Sequence, residues 1–183
     1  MACGMASCGR DLLEINREFR AQDKGREVVS RAKIVLADLG ATHAFAARLA
    51  RLLQPGDVVG LSGPLGAGKS EIARAAIRAR AGAEIEVPSP SFTLVQDYPL
   101  PGLTIRHVDL YRIGAPAELV ELGLADIGDD EALLVEWPEQ ADGLLPADRL
   151  DIRIAQGEAA DARKLELVAG PNWSTRLDAL AHG

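Results

Sequence analysis

The chain has 183 residues, 48% hydrophobic and 26% charged, the balance of an ordinary globular domain with room for one sizeable core. Its formal net charge of −7 argues against a large nucleic-acid footprint, which needs a basic face, and against direct, unaided nucleic-acid binding. No run reaches the ~18 apolar residues of a membrane span, and Cys3 and Cys8 form neither a zinc quartet nor a disulfide framework, so a cytoplasmic setting is expected.

Residues 1–33 hold seven basic and five acidic side chains and read as an N-terminal extension to a domain spanning 34–183. Within the extension, Leu12, Ile15 and Phe19 fall at i, i+3 and i+7, so the segment is either loosely ordered or a short docking helix. Lys33–Ala37 reads as a first strand. Thr42 is placed to cap a helix whose apolar stripe includes Phe45, Ala46, Leu49, Leu52 and Leu53. Pro55-Gly56 ends that helix and turns into a second strand, Asp57–Ser62.

That strand leads into Gly63-Pro64-Leu65-Gly66-Ala67-Gly68-Lys69-Ser70, the spacing G-x-x-x-x-G-K-S, and a helix follows to about Ala81 with Gly82 as its C-cap. Strand, glycine loop and helix in this order cradle phosphates with backbone N–H groups, helped by the positive end of the helix dipole. Lys69 is placed to reach the β- and γ-phosphates, and the Ser70 hydroxyl to hold Mg²⁺. Gly66 and Gly68 let the backbone approach the ligand where a Cβ would collide. The expected ligand is a nucleoside triphosphate.

Further along, Phe92–Tyr98 and Leu103–Leu110 flank Pro99-Leu100-Pro101-Gly102, a hairpin signature. Pro116–Leu122 suggests a short helix, and Ala132–Trp137 a buried parallel strand ending on a carboxylate. Leu150–Ile154 and Lys164–Val168 alternate like an antiparallel pair, and Asn172–Leu180 closes as a helix. The expected architecture is a single α/β domain around a mixed parallel and antiparallel sheet of about seven strands, with helices on both faces.

A phosphate loop needs an acid near its metal and a group that positions water before it can hydrolyse anything. Glu136 ends the apolar strand, where ligands of open α/β sheets lie. Asp109 shares a strand face with His107 and Tyr111, a polar stripe that suits a cleft wall. Asp109 is the candidate for ordering water, whereas a lone strand histidine such as His107 is more often structural. Ser89-Pro90-Ser91-Phe92-Thr93 reads as a switch loop or as a plain proline turn, and Trp137 as a stacking group or core packing.

Taken together, Gly66–Ser70, Ser89–Val95, His107–Arg112 and Leu134–Pro138 resemble, in order and spacing, the TsaE (YjeE) family, from about Ile34 to Leu180. The resemblance implies a small P-loop ATPase needed for threonylcarbamoyladenosine modification of tRNA at position 37, using ATP and Mg²⁺, with TsaD and TsaB as partners. It implies that Lys69, Asp109 and Glu136 are catalytic and that Ser70 and Glu136 hold the metal. Nucleotide contacts would come from Leu65, Gly66, Ala67, Gly68, Lys69, Ser70, Glu71, Thr42, Ser91 and Trp137. Leu39–Thr42 and the turn at Ala160–Arg163 would flank adenine. Several positions depart from the pattern: Pro64 stands where Asp is usual and lacks an N–H, Ser70 and Ser91 stand for Thr, and Glu71 adds a negative charge near the phosphates. The alternatives are a small-molecule or nucleoside kinase, which would need an arginine-rich lid, and a nucleotide switch without useful catalysis.

Overall fold

The computed structural model describes residues 30–113, 116–124, 126–141 and 143–183, so the Leu12, Ile15 and Phe19 stripe lies outside the described residues. The chain runs β1 (Ser30–Leu36), α1 (Leu39–Leu52), β2 (Val58–Ser62), α2 (Lys69–Ala81), β3 (Val95–Leu100), β4 (Leu103–Asp109), α3 (Pro116–Glu121), β5 (Glu131–Glu136), β6 (Leu150–Gln156), β7 (Arg163–Ala169), α4 (Pro171–Ser174) and α5 (Leu177–His182). A 3₁₀ turn, Pro138–Ala141, follows β5.

All seven strands form one sheet in the order β1-β7-β6-β2-β5-β4-β3. Its centre is β2, fully buried and paired in parallel with both β5 and β6. β4 extends the parallel block beyond β5. The continuous apolar runs of β2 and β5 are what a strand covered on both faces requires. The flanks turn antiparallel, β3 against β4 on one side and β1-β7-β6 on the other. Pro99 is tolerated inside β3 because that strand is an edge.

Each face carries its own apolar cluster. Phe45, Leu49, Ile72, Ile77 and Trp173 bring α1, α2 and the C-terminal helices onto one face. Leu119, Leu124, Ala141 and Leu145 cover Val108, Leu110, Leu133 and Val135 on the other. The expected mixed sheet with helices on both faces is therefore the observed one. Among the described residues no helix is long and apolar enough to cross a membrane.

Local boundaries differ from the sequence reading for identifiable reasons. The first strand begins at Ser30, because the ladder to β7 runs from Ser30 opposite Ala169 to Leu36 opposite Arg163. Asp38, not Thr42, caps α1: its backbone is extended (φ −157°) and its Oδ1 accepts the Ala41 N–H at 2.7 Å. Thr42 lies one turn inside, where its hydroxyl donates to Asp38 O at 3.1 Å. β3 starts at Val95 because Leu94 sits at φ +64°, which breaks the strand. The closing helix divides into α4 and α5 around Arg176, whose guanidinium is turned inward to Asp57.

The register sets up the site. Glu136 at the end of β5 stands opposite Leu61 of β2 on one side and Asp109 of β4 on the other. Both carboxylates therefore arrive level with the loop that leaves β2.

Candidate functional site

The loop holds a shape that only glycine supplies at its ends. Gly63 sits at φ +141°, and a Cβ there would lie 2.3 Å from the carbonyl oxygen of Ile154. Gly68, at φ +106°, begins α2, and no side chain caps the helix. The amides of the first turn are thus left for an anion, with the dipole favouring negative charge. The loop's carbonyls are tied elsewhere: Pro64 O accepts the Ala67 N–H at 3.1 Å, and Ala67 O accepts from Arg163 Nε at 2.8 Å. Pro64 lacks a donor but braces the loop through its oxygen.

Lys69 donates from Nζ to Gly63 O (2.8 Å) and Pro64 O (3.0 Å), and its Nζ lies 3.7 Å from the centroid of the Trp137 ring. Burial pulls its ammonium below the ordinary lysine value, against the opposing pull of Glu136, Glu139 and Asp109. Trp137 itself has φ +58°, a conformation uncommon for a bulky residue, and packs on Tyr111 with ring centroids 4.9 Å apart.

Behind the loop stand the two carboxylates, 2% and 3% exposed. Glu136 Oε2 accepts the Ser70 hydroxyl at 2.8 Å, and Oε1 is hydrogen-bonded to His107 Nε2 at 2.8 Å. Asp109 Oδ2 accepts the Ser91 hydroxyl at 2.7 Å and Oδ1 the Tyr111 N–H at 3.0 Å. Ser89 extends this chain through a 2.8 Å contact with Ser91. The serine loop before β3 is thus clasped to the strand that carries Asp109.

A cleft of about 310 Å³ gathers these groups. Its wall includes Leu65, Gly66, Gly68, Lys69, Ser70 and Glu71 of the loop and helix start, with Ser91, Asp109, Glu136 and Trp137 opposite. Two expected contacts are not on that wall. Ala67 is buried beneath the loop, and Thr42 is 4% exposed with its hydroxyl spent on its own helix. Glu71 does not present a bare charge either: its two oxygens are bonded to His43 Nε2 and Arg74 Nη1, each at 2.7 Å. Burial pushes its carboxyl up, but the His43 hydrogen bond and the charge of Arg74 more than offset this and hold it below the ordinary value.

Arg74 escaped the sequence reading. Arg74 lines the cleft and donates to Val87 O, and the only sequence signal was its position three residues after Glu71. His107 was expected to be structural, yet its bond goes to the carboxylate at the cleft.

The donor set suits a small hard cation. Ser70 and Glu136 offer two oxygens 2.8 Å apart, and among the described residues no group of three or more His, Cys, Asp or Glu side chains could hold a metal alone. Mg²⁺ takes one or two protein oxygens and completes its shell from phosphate and water, so the residues fit it.

Comparison with known proteins gives a consistent result. Residues 36–165 match the family model described as threonylcarbamoyl adenosine biosynthesis protein TsaE. A tRNA threonylcarbamoyladenosine biosynthesis protein TsaE from Rickettsia felis is 33% identical over 160 residues, covering 79% of this chain and 92% of that protein. The protein of the same name from Haemophilus influenzae is 40% identical over 121 residues, covering 66% of this chain and 75% of its own length. The crystal structure of Bacillus subtilis YdiB superposes with a TM-score of 0.64 at 29% identity, covering 82% of this chain and 93% of that one. The chain is a P-loop nucleotide-binding protein and belongs to the TsaE family.

Proposed function

We propose that this protein binds ATP and Mg²⁺ and hydrolyses the ATP in support of threonylcarbamoyladenosine formation at position 37 of tRNA. The observation that carries the reading is the pairing of Ser70 with Glu136 and of Ser91 with Asp109 around one cleft. The loop amides and Lys69 bind the phosphates, and the Lys69 ammonium exchanges its two carbonyl partners for phosphate oxygens. Ser70 and Glu136 would hold Mg²⁺, which when bound would neutralise phosphate charge.

Asp109 orients the attacking water and accepts its proton, while Ser91 reports the state of the γ-phosphate to its loop. The bond between the γ-phosphorus and the β–γ bridging oxygen breaks, giving ADP and phosphate. Adenine lies between Leu39–Ala41 at the start of α1 and the turn at Ala160–Arg163, with Thr42 buried behind. The Arg163 bond to Ala67 O brings that turn against the loop.

The carboxylates are already held in place by Ser70, His107, Ser91 and the Tyr111 amide, so the remaining control belongs to partners, for which TsaD and TsaB are the candidates. ATP hydrolysis by the purified full chain is measured alone and with those two proteins. Turnover is expected to be slow alone and to rise in the mixture. Hydrolysis indifferent to both partners overturns the accessory role. Depletion in the source cell should lower threonylcarbamoyladenosine in tRNA, and an undiminished level overturns the pathway assignment.

A further inference from the structure

We infer that His107 is a positioning residue for Glu136, fixing which carboxylate oxygen faces the metal; this rests on the proposed role of Glu136 in holding Mg²⁺. His107 lies on the same face of β4 as Leu103 and Ile105, all at most 1% exposed, so its imidazole is embedded in an apolar layer. Its Nδ1 is buried and has no hydrogen-bond partner. A ring nitrogen left in that condition works against folding, and an apolar group of similar shape would avoid the cost. The polar interaction that offsets it is the 2.8 Å bond between Nε2 and Glu136 Oε1.

The bond acts on a soft torsion. The terminal torsion of a glutamate is broad, so an unsupported carboxylate samples many orientations. Here Oε1 is held by His107 and Oε2 by Ser70, which comes from the first turn of α2. His107 thereby leaves Oε2 as the oxygen presented to the cleft, beside the other magnesium donor. Hydrogen bonds behind a ligating carboxylate contribute about 10- to 100-fold in metal affinity.

The test uses the full chain loaded with a non-hydrolysable ATP analogue and titrated with Mn²⁺, free Mn²⁺ being counted by electron paramagnetic resonance. His107→Leu should weaken Mn²⁺ binding by roughly tenfold or more, with analogue binding in EDTA unchanged and the unfolding midpoint equal or higher. His107→Gln, which returns a donor near the position of Nε2, should restore most of the affinity. Glu136→Gln is measured in parallel. If Glu136→Gln weakens Mn²⁺ binding while His107→Leu leaves it at the parent value, His107 is structural and the inference falls while the role of Glu136 stands. If Glu136→Gln also leaves it unchanged, the metal assignment of Glu136 falls and the inference with it. Should His107→Leu fail to fold, His107→Gln alone decides: parent-like Mn²⁺ affinity supports the inference, and a folded variant with lost affinity overturns it.

Discussion

The two ends of the parallel strands treat a buried carboxylate in opposite ways. At the amino end, just before β2, Asp57 is 6% exposed and receives two bonds from Arg176, at 2.6 and 2.8 Å, and a third from the Gln54 N–H. Arg176 also donates to Leu52 O and lies over the Trp173 ring, 4.0 Å from its centroid. At the carboxyl end, Glu136 and Asp109 are as deeply buried, but hydroxyls, an imidazole and a backbone amide hold them. Among the described residues neither forms an ion pair with an arginine or lysine. The first arrangement closes its charge and ties the C-terminal helices to the sheet. The second fixes orientation while leaving negative charge for a cation, the division expected between a structural and a functional carboxylate.

Substitutions can break this contrast, and the largest effect is expected at the carboxyl end. Glu136→Gln removes the charge and keeps the shape. ATP turnover in the presence of the partners should fall on the order of 10³-fold, with the thermal midpoint within a few degrees of the parent. A parent-like rate would erase the distinction between the two ends.

Arg176→Ala comes next and acts only on stability. It leaves Asp57 buried without its partner and should cost about 3–5 kcal/mol in denaturant unfolding, while the folded variant keeps parent nucleotide affinity. Pairing Asp57→Asn with Arg176→Met should recover much of that loss. A variant with full stability would show that Asp57 finds compensation elsewhere.

Asp109→Asn should lower the hydrolytic rate by roughly 10²-fold and leave nucleotide affinity near the parent value, since Asn can keep its oxygen on the Tyr111 N–H and donate its amide to the Ser91 oxygen. Equal losses in affinity and rate would move Asp109 from chemistry to binding.

The smallest effect concerns Glu71, which sits at the site yet is paired as a structural carboxylate would be. Its folded-state value lies below the ordinary 4.5, so its contribution is present above that value and fades as pH falls through the lowered one. Glu71→Gln should therefore lower stability slightly near neutrality, flatten the acid limb and meet the parent curve at low pH. Curves identical to the parent at every pH would mean that the His43 and Arg74 contacts do not stabilise the fold.

Much of this was legible in the chain. The glycine spacing, the apolar run of β5 and the period-two stripe on β4 each express backbone geometry directly, so the loop, Glu136 and Asp109 could be placed in advance. What stayed hidden depends on where side chains turn. Asp38 and Thr42 are both good capping residues, and the extended backbone at Asp38 settled the matter. The charge on Glu71 looked exposed to the phosphates because His43 is 28 residues away and meets it only through helix packing. His107 and Glu136 are 29 residues apart and meet across neighbouring parallel strands, a pairing that no local periodicity encodes.

The position of the two tryptophans has an optical consequence. Trp173 is 1% exposed and lies beside Arg176, remote from the loop, whereas Trp137 sits in the cleft wall beneath the Lys69 ammonium. Moving that ammonium onto a phosphate removes a cation from one indole and leaves the other untouched. The chain should carry a built-in emission signal for occupancy, abolished in Trp137→Phe and retained in Trp173→Phe. Stopped-flow fluorescence could then time nucleotide arrival with no label attached.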